Sequence, residues 1–111
     1  MPNLYGDILS DAAAGLVGGL GMAASGCYGN DYAYFESAHG TAPDIAGQNI
    51  INPTANLLTA GMMLEYLGFL DEQRRLNRAI ETVYAKREIL TPDVGGSSST
   101  TEFCEAVRVE L

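Results

Sequence analysis

Glu36-Ser37-Ala38-His39-Gly40-Thr41-Ala42-Pro43-Asp44-Ile45-Ala46-Gly47-Gln48-Asn49-Ile50-Ile51-Asn52-Pro53 forms a long polar loop between two apolar runs. A loop of that length inside a compact chain needs a reason. Gly40 and Gly47 free backbone donors, His39 brings an imidazole, and Asp44 brings a carboxylate that can accept two hydroxyl protons at once. Neighbouring hydroxyls of a ribose, with an adenine ring against the flat faces of His39 and Ile45, suit that set. The same composition also suits a surface loop with one solvated histidine.

Outward from the loop, the pattern is helical. Asn52 can cap and Pro53 can take the first helical position of a run over Thr54–Leu67 that Gly68 closes. This run is apolar nearly all round, so burial on more than one side is expected, with its methionines as core filler. A second helix is expected from Asp71 to Glu88, with Leu70, Leu76, Ile80, Val83 and Tyr84 inward and the bases outward. The glycine and serine stretch Leu90–Thr100 leads to a last helix through Val109, with Ser99 and Glu102 spaced as a capping box. Such a stretch could wrap phosphates, yet it lacks the lysine of a P-loop and follows no clear strand.

Upstream, Gly29-Asn30-Asp31 reads as a tight turn between short aromatic strands, and the six tyrosines read as core and sheet residues. The N-terminal run Asn3-Leu4-Tyr5-Gly6-Asp7-Ile8-Leu9-Ser10-Asp11 leads into Ala12–Val17, a helical pattern stopped by Gly18-Gly19. Asp7 and Asp11 lie four apart, so on a helix both carboxylates leave one face. Their repulsion is only about 0.2 to 0.5 kcal/mol on an exposed helix, and the pair is tolerable without any function. A hard divalent cation such as Mg²⁺ or Mn²⁺ turns that repulsion into attraction.

The chain has 111 residues, with 14 acids against six bases and a formal net charge of −8. One small domain, or a piece of a larger one, fits that length, and no basic face exists to meet nucleic acid. Cys27 and Cys104 stand apart with no second ligand at metal spacing, as buried or free thiols of a reducing compartment. No leader pattern is visible and the apolar run Leu57–Leu67 is too short to cross a bilayer, so a soluble, cytoplasmic chain without a membrane partner is expected.

His39-Gly40-Thr41-Ala42-Pro43-Asp44-Ile45-Ala46-Gly47, followed by Asn52-Pro53-Thr54, resembles the adenosine-binding loop of the metal-dependent, decarboxylating 2-hydroxy-acid dehydrogenases. That family holds the isocitrate, homoisocitrate and 3-isopropylmalate dehydrogenases and tartrate dehydrogenase. The run Asn3–Asp11, with Gly18-Gly19-Leu20-Gly21 after it, resembles the family's signature segment. The resemblance implies an α/β fold: the C-terminal part of an isopropylmalate-dehydrogenase-like subunit, mostly helical here with a short β-hairpin.

It further implies that residues 1–21 form the metal-binding and dimer-interface helix of the smaller domain, and 22–111 a portion of the large, nucleotide-binding domain. Asp7 and Asp11 become metal-ligand positions for Mg²⁺ or Mn²⁺. Asn3, His39, Gly40, Thr41, Ala42, Pro43, Asp44, Ile45 and Asn52 become cofactor-binding positions, and Asp93 approaches the adenosine side. NADP-using relatives place a lysine and a tyrosine where this chain has Asp44 and Ile45, so NAD is the expected cofactor.

Complete members are roughly three times as long, past the size at which a single core serves. The arginine cluster that grips substrate carboxylates, the catalytic tyrosine, and the lysine and further aspartate from the partner subunit all lie outside this segment. No catalytic residue is therefore expected within it. The resemblance implies an NAD-dependent oxidative decarboxylase acting on a 2-hydroxy acid, inactive as this chain alone, with a homodimer mate or complementing chain. A non-catalytic truncated fragment or assembly subunit of the same fold is the alternative.

Overall fold

A computed structural model describes residues 1–111. It contains four α-helices, α1 (Asn3–Leu16), α2 (Thr54–Tyr66), α3 (Leu70–Lys86) and α4 (Thr100–Glu110), and two strands, β1 (Ala24–Tyr28) and β2 (Ala33–Ser37). Single 3₁₀ turns occupy Leu20–Met22, Pro43–Ile45 and Pro92–Val94. No helix is long and apolar enough to cross a membrane. The expected mostly helical segment with one hairpin is what forms.

β1 and β2 pair antiparallel, with Gly26 opposite Phe35 and Cys27 opposite Tyr34, and Gly29 N–H donates to the Tyr32 carbonyl at 2.7 Å to close the turn. Gly26 is glycine for a steric reason. A Cβ there would stand 3.1 Å from the Phe35 ring and 3.0 Å from the Tyr28 hydroxyl. The space goes instead to an aromatic cluster in which the Tyr28, Phe35 and Tyr66 ring centroids lie 5.6 to 5.9 Å apart, clamping the hairpin to the end of α2.

The core is small and helical. Leu76, Ala79, Ile80 and Val83 of α3 meet Phe103 and Val107 of α4, while Leu57, Leu58, Ala60 and Leu64 of α2 close over them. Amphipathic spacing on α3 puts its apolar stripe toward α2 and α4 and leaves Glu72, Arg74, Arg75, Arg78 and Glu81 in solvent. Leu70, expected to point inward, is 46% exposed: it is the first residue of α3, ahead of the stripe that begins at Leu76.

α2 is sandwiched between α3 on one side and the hairpin on the other, in keeping with an element buried on more than one side. Its C-terminal turn escapes that cover: Met63 is 40%, Tyr66 48% and Leu67 56% exposed. The tyrosines likewise depart from expectation. Tyr5, Tyr28, Tyr32, Tyr34 and Tyr66 are exposed, and only Tyr84 is packed inside.

α1 stands apart. Its main neighbour is the Leu20–Met22 turn, and only Ala14 along its length is buried. Gly18 and Gly19, with φ of +114° and +105°, turn the chain sharply between α1 and the remainder, a conformation glycine reaches without a Cβ clash.

Candidate functional site

The polar loop leaves β2 at Ala38 and is tied at its far end to α4. Asn49 sits in the left-handed region at φ 58°, which asparagine tolerates better than most residues, and so turns both its oxygens toward the helix. Its carbonyl accepts from Thr100 N–H at 2.9 Å, and its Oδ1 accepts from Thr101 N–H at 3.2 Å and Thr101 Oγ1 at 2.9 Å. Ser99 Oγ accepts from Glu102 N–H at 3.2 Å while Glu102 Oε2 accepts from Ser99 N–H at 2.7 Å, forming the expected capping box. Hydrogen bonding to Ser99 holds the Glu102 carboxyl below the usual glutamate range. The orphan donors at the start of α4 are thus satisfied by a residue fifty positions upstream as well as by the local cap.

Beyond Asn49 the chain enters a buried polar cluster centred on Asn52, which is 4% exposed. Asn52 Oδ1 accepts from Thr54 N–H at 3.0 Å; its Nδ2 donates to Asp93 Oδ2 at 2.9 Å, faces the Tyr84 hydroxyl at 3.1 Å and stands 3.6 Å from Met22 Sδ. Thr54 Oγ1 lies 2.7 Å from the same hydroxyl, and Thr91 Oγ1 donates to Asp93 Oδ1 at 2.6 Å. The regular helix begins at Thr54 with Pro53 at its boundary, and Asn52 Oδ1 accepts from Thr54 N–H, the bond expected of a capping asparagine with proline following it.

That side chain is fully committed to the protein. The Asn52 main chain is not: neither its N–H nor its carbonyl enters a backbone hydrogen bond, and no side chain bonds to them. A buried residue thus holds one free peptide donor and one free peptide acceptor, which normally find a partner.

The other predicted cofactor positions lie on the loop itself. His39 is half-buried at the end of the hairpin, and its Nδ1 is 2.9 Å from the Gly40 carbonyl. A carbonyl only accepts, so in the neutral ring Nδ1 carries the proton and Nε2 is the lone-pair nitrogen. Nε2 is buried and has no partner. Gly40, Thr41, Ala42 and Pro43 are exposed, with Ala42 at φ 44°, a left-handed conformation unusual for alanine.

Asp44 opens to solvent in the first turn of the Pro43–Ile45 helix; its carbonyl accepts from Gln48 Nε2 at 3.0 Å, whereas its carboxylate is unpaired. Ile45 is half-buried and, with Gly47, Asn49, Ile50, Ile51 and Thr100, borders a hollow of about 350 Å³. Asp93, expected near this region, is joined to it through Asn52.

Asn3, Asp7 and Asp11 lie on the exposed face of α1. The unbroken helix over Asn3–Leu16 puts the two carboxylates on one side, one turn apart, and neither makes an ion pair or a side-chain hydrogen bond. No third histidine, cysteine or acid joins them: the chain contains no group of three such residues able to hold a metal ion. The pair fits as part of a Mg²⁺ or Mn²⁺ shell that substrate oxygens and water complete, and not as a closed site. Asp11 also borders a hollow of about 570 Å³ that Met22 lines, and Met22 Sδ reaches the Asn52 cluster.

The profile of the isocitrate/isopropylmalate dehydrogenase family matches residues 1–107. The chain belongs to that family. It is 56% identical over 105 residues to the isocitrate/homoisocitrate dehydrogenase of Thermus thermophilus, covering 95% of this chain and 31% of the relative. To the human mitochondrial isocitrate dehydrogenase [NAD] subunit alpha it is 52% identical over 108 residues, covering 96% of this chain and 30% of that one. The crystal structure of isocitrate dehydrogenase from Methylococcus capsulatus superposes with a TM-score of 0.93 at 47% identity, over 97% of this chain and 32% of the other. This member of the dehydrogenase family spans about a third of the length of the curated relatives it matches.

Three contributors escaped the sequence reading: Tyr84, Thr91 and Asn49. Tyr84 lies on the apolar stripe of α3 and reads as an inward core residue, with nothing local to announce its hydroxyl's partners.

Proposed function

We propose that the chain is the cofactor- and metal-binding portion of an NAD-dependent oxidative decarboxylase acting on a 2-hydroxy acid such as isocitrate, homoisocitrate or 3-isopropylmalate. In this reading it is the C-terminal portion, with residues 1–21 in the smaller domain and 22–111 in the large one. The observation that carries the nucleotide half is the unspent peptide N–H and carbonyl of Asn52, inside a cluster that uses up every polar atom of its side chain. Adenine presents an acceptor at N1 and a donor at its exocyclic amine, the complement of that pair.

His39 Nε2 adds a buried lone pair, and the free Asp44 carboxylate suits the two hydroxyls of a ribose while opposing a 2′-phosphate. Asp7 and Asp11 are the groups that hold the divalent ion. A bound divalent ion would supply Lewis-acid chemistry at the substrate, and a bound nicotinamide would supply the hydride acceptor. The carboxylates of α1 orient that end of the site, and the tether from Asn49 to α4 fixes the adenosine end.

A homodimer mate or a complementing chain is part of the proposal. Leu4, Tyr5, Ile8 and Leu9 are 57 to 67% exposed on α1, a stripe that needs cover. The second reading is a non-catalytic fragment or assembly subunit of the same fold, favoured by the chain's spanning about 31% of its relatives.

Titrating the ¹⁵N-labelled chain with NAD should move amide signals of residues 39–47 and 52, and Mn²⁺ should broaden those around Asp7 and Asp11. Unmoved loop signals at millimolar NAD would defeat the nucleotide assignment. Mixing the chain with NAD, Mg²⁺ and isocitrate or 3-isopropylmalate separates the two readings, because saturable NADH production without another chain eliminates the fragment.

A further inference from the structure

The Asn52 peptide groups are unpaired while its side chain is fully occupied, and most of the residues that occupy it come from parts of the fold far away in sequence. Tyr84 arrives from α3, and its hydroxyl is shared among Asn52 Nδ2 at 3.1 Å, Thr54 Oγ1 at 2.7 Å and Met22 Sδ at 3.3 Å. Asp93 arrives from the turn before α4; Thr91 anchors one of its oxygens and Asn52 Nδ2 takes the other. An asparagine amide has two donors and one carbonyl, and here each end is assigned, so the side chain has a single orientation. The residue is 4% exposed, leaving it no room to swing away without stranding Thr54 N–H.

We propose that Tyr84 and Asp93 are positioning residues for base selection: by locking the Asn52 side chain they hold its peptide N–H and carbonyl in register for an adenine edge. This rests on the nucleotide reading above and adds to it a source of specificity that no loop residue supplies. Hypoxanthine has the reverse polarity at N1 and at the exocyclic position, so a fixed peptide donor and acceptor discriminate against it, and a loosened pair does not.

The test uses the whole chain and two probes, AMP and IMP, titrated against ¹⁵N-labelled protein with amide dispersion as the check on folding. The native chain should prefer AMP. Tyr84→Phe keeps the ring and removes the hydroxyl; it should weaken AMP about 2- to 10-fold, the worth of one buried hydrogen bond, and bring the AMP-to-IMP ratio near unity. Asp93→Ser should do the same, while Asp93→Asn, whose amide oxygen can still accept from Asn52 and whose NH₂ can still meet Thr91, should restore the ratio. The phosphate is common to both probes, so the loss of charge at residue 93 cancels in the ratio.

A Tyr84→Phe chain with an unchanged ratio would overturn the positioning role. So would an Asp93→Asn chain that loses selectivity as fully as Asp93→Ser. A native chain that binds AMP and IMP equally overturns base selection by Asn52 and with it this inference, whereas one that binds neither overturns the nucleotide reading itself.

Discussion

Asn52→Ala removes the centre of the polar cluster, and its cost follows from the bonds it breaks. Thr54 N–H, on a residue with no exposed surface, loses the Oδ1 acceptor at 3.0 Å. A buried donor stranded in this way costs about 1 to 3 kcal/mol. Asp93 Oδ2 loses its 2.9 Å donor but keeps Thr91 on the other oxygen and has access to water, so this loss adds at most about 1 kcal/mol. The expected destabilisation is therefore about 1 to 4 kcal/mol. With a urea m-value of about 2 kcal/mol per M, the unfolding midpoint followed by circular dichroism falls by about 0.5 to 2 M at constant m.

Asn52→Asp divides the cluster into its two halves. It keeps an acceptor for Thr54 N–H but replaces the Asn52 donor with a carboxylate facing Asp93. Two carboxylates sharing a site raise each other's pKa, so the folded state takes up a proton more readily than the unfolded chain, and the defect shrinks as the pH falls. Asn56→Ala, on the exposed face of α2, serves as control and should stay within about 0.5 kcal/mol of the native chain. A loss below about 0.5 kcal/mol for Asn52→Ala would refute the reasoning, since the cluster would then not be holding the start of α2.

Other outcomes follow from the same structure. The Glu102 carboxyl is lowered by its bonds to Ser99, so its stabilising effect is complete above the unfolded glutamate range and is lost as the pH falls through the lower folded value. Ser99→Ala should destabilise by about 1 kcal/mol near neutrality; it keeps the Ser99 N–H bond to the carboxylate, so only the part carried by the hydroxyl's own bond to Glu102 should fade in urea melts below about pH 4. Cys27 is exposed while burial pushes the Cys104 thiol up, so iodoacetamide at pH 8 should label Cys27 first by mass spectrometry; reversed order would contradict the packing of α4. In a complete enzyme carrying this loop, Asp44→Lys with Ile45→Tyr should shift the NAD-to-NADP affinity ratio toward NADP by about tenfold or more, as expected from exchanging a repelling charge for an attracting one. An unchanged ratio would remove Asp44 from the cofactor site.

What the sequence discloses and what it hides divide by distance along the chain. α3 and α4 are legible because a 3.6-residue stripe and a Ser-x-x-Glu box are local signals, and the hairpin is legible from Gly29-Asn30-Asp31. The Asn52 cluster is not, because its partners lie 30 to 41 residues away and polar side chains meeting through space leave no periodic trace. Asn49 is hidden for the same reason: nothing near it announces that it caps a helix beginning at Thr100. The start of α2 is legible too, since an asparagine before a proline is a local capping signal and Asn52 Oδ1 does accept from Thr54 N–H. The motif residues are legible only through resemblance, and physical spacing alone leaves Asp7 and Asp11 indistinguishable from any tolerated i, i+4 acid pair.

The two halves of the proposed site are not equally well made. The loop proposed to hold adenosine is clamped at one end by the hairpin and at the other by α4 and the Asn52 cluster, so its geometry belongs to the chain itself. α1, which carries Asp7 and Asp11, rests on one 3₁₀ turn across two glycines and leaves Leu4, Tyr5, Ile8 and Leu9 in water. Covering the remaining exposed surface of those four side chains is worth together about 4 to 7 kcal/mol, comparable with the net stability of a small domain. Whatever covers them therefore also sets where the two carboxylates sit relative to the loop. Two carboxylates with no third protein ligand bind a divalent ion only weakly until that placement is made, whereas the Asn52 peptide groups are already in place. It follows that nucleotide binding should be the property this chain keeps on its own, and that tight metal binding should appear only when α1 is covered.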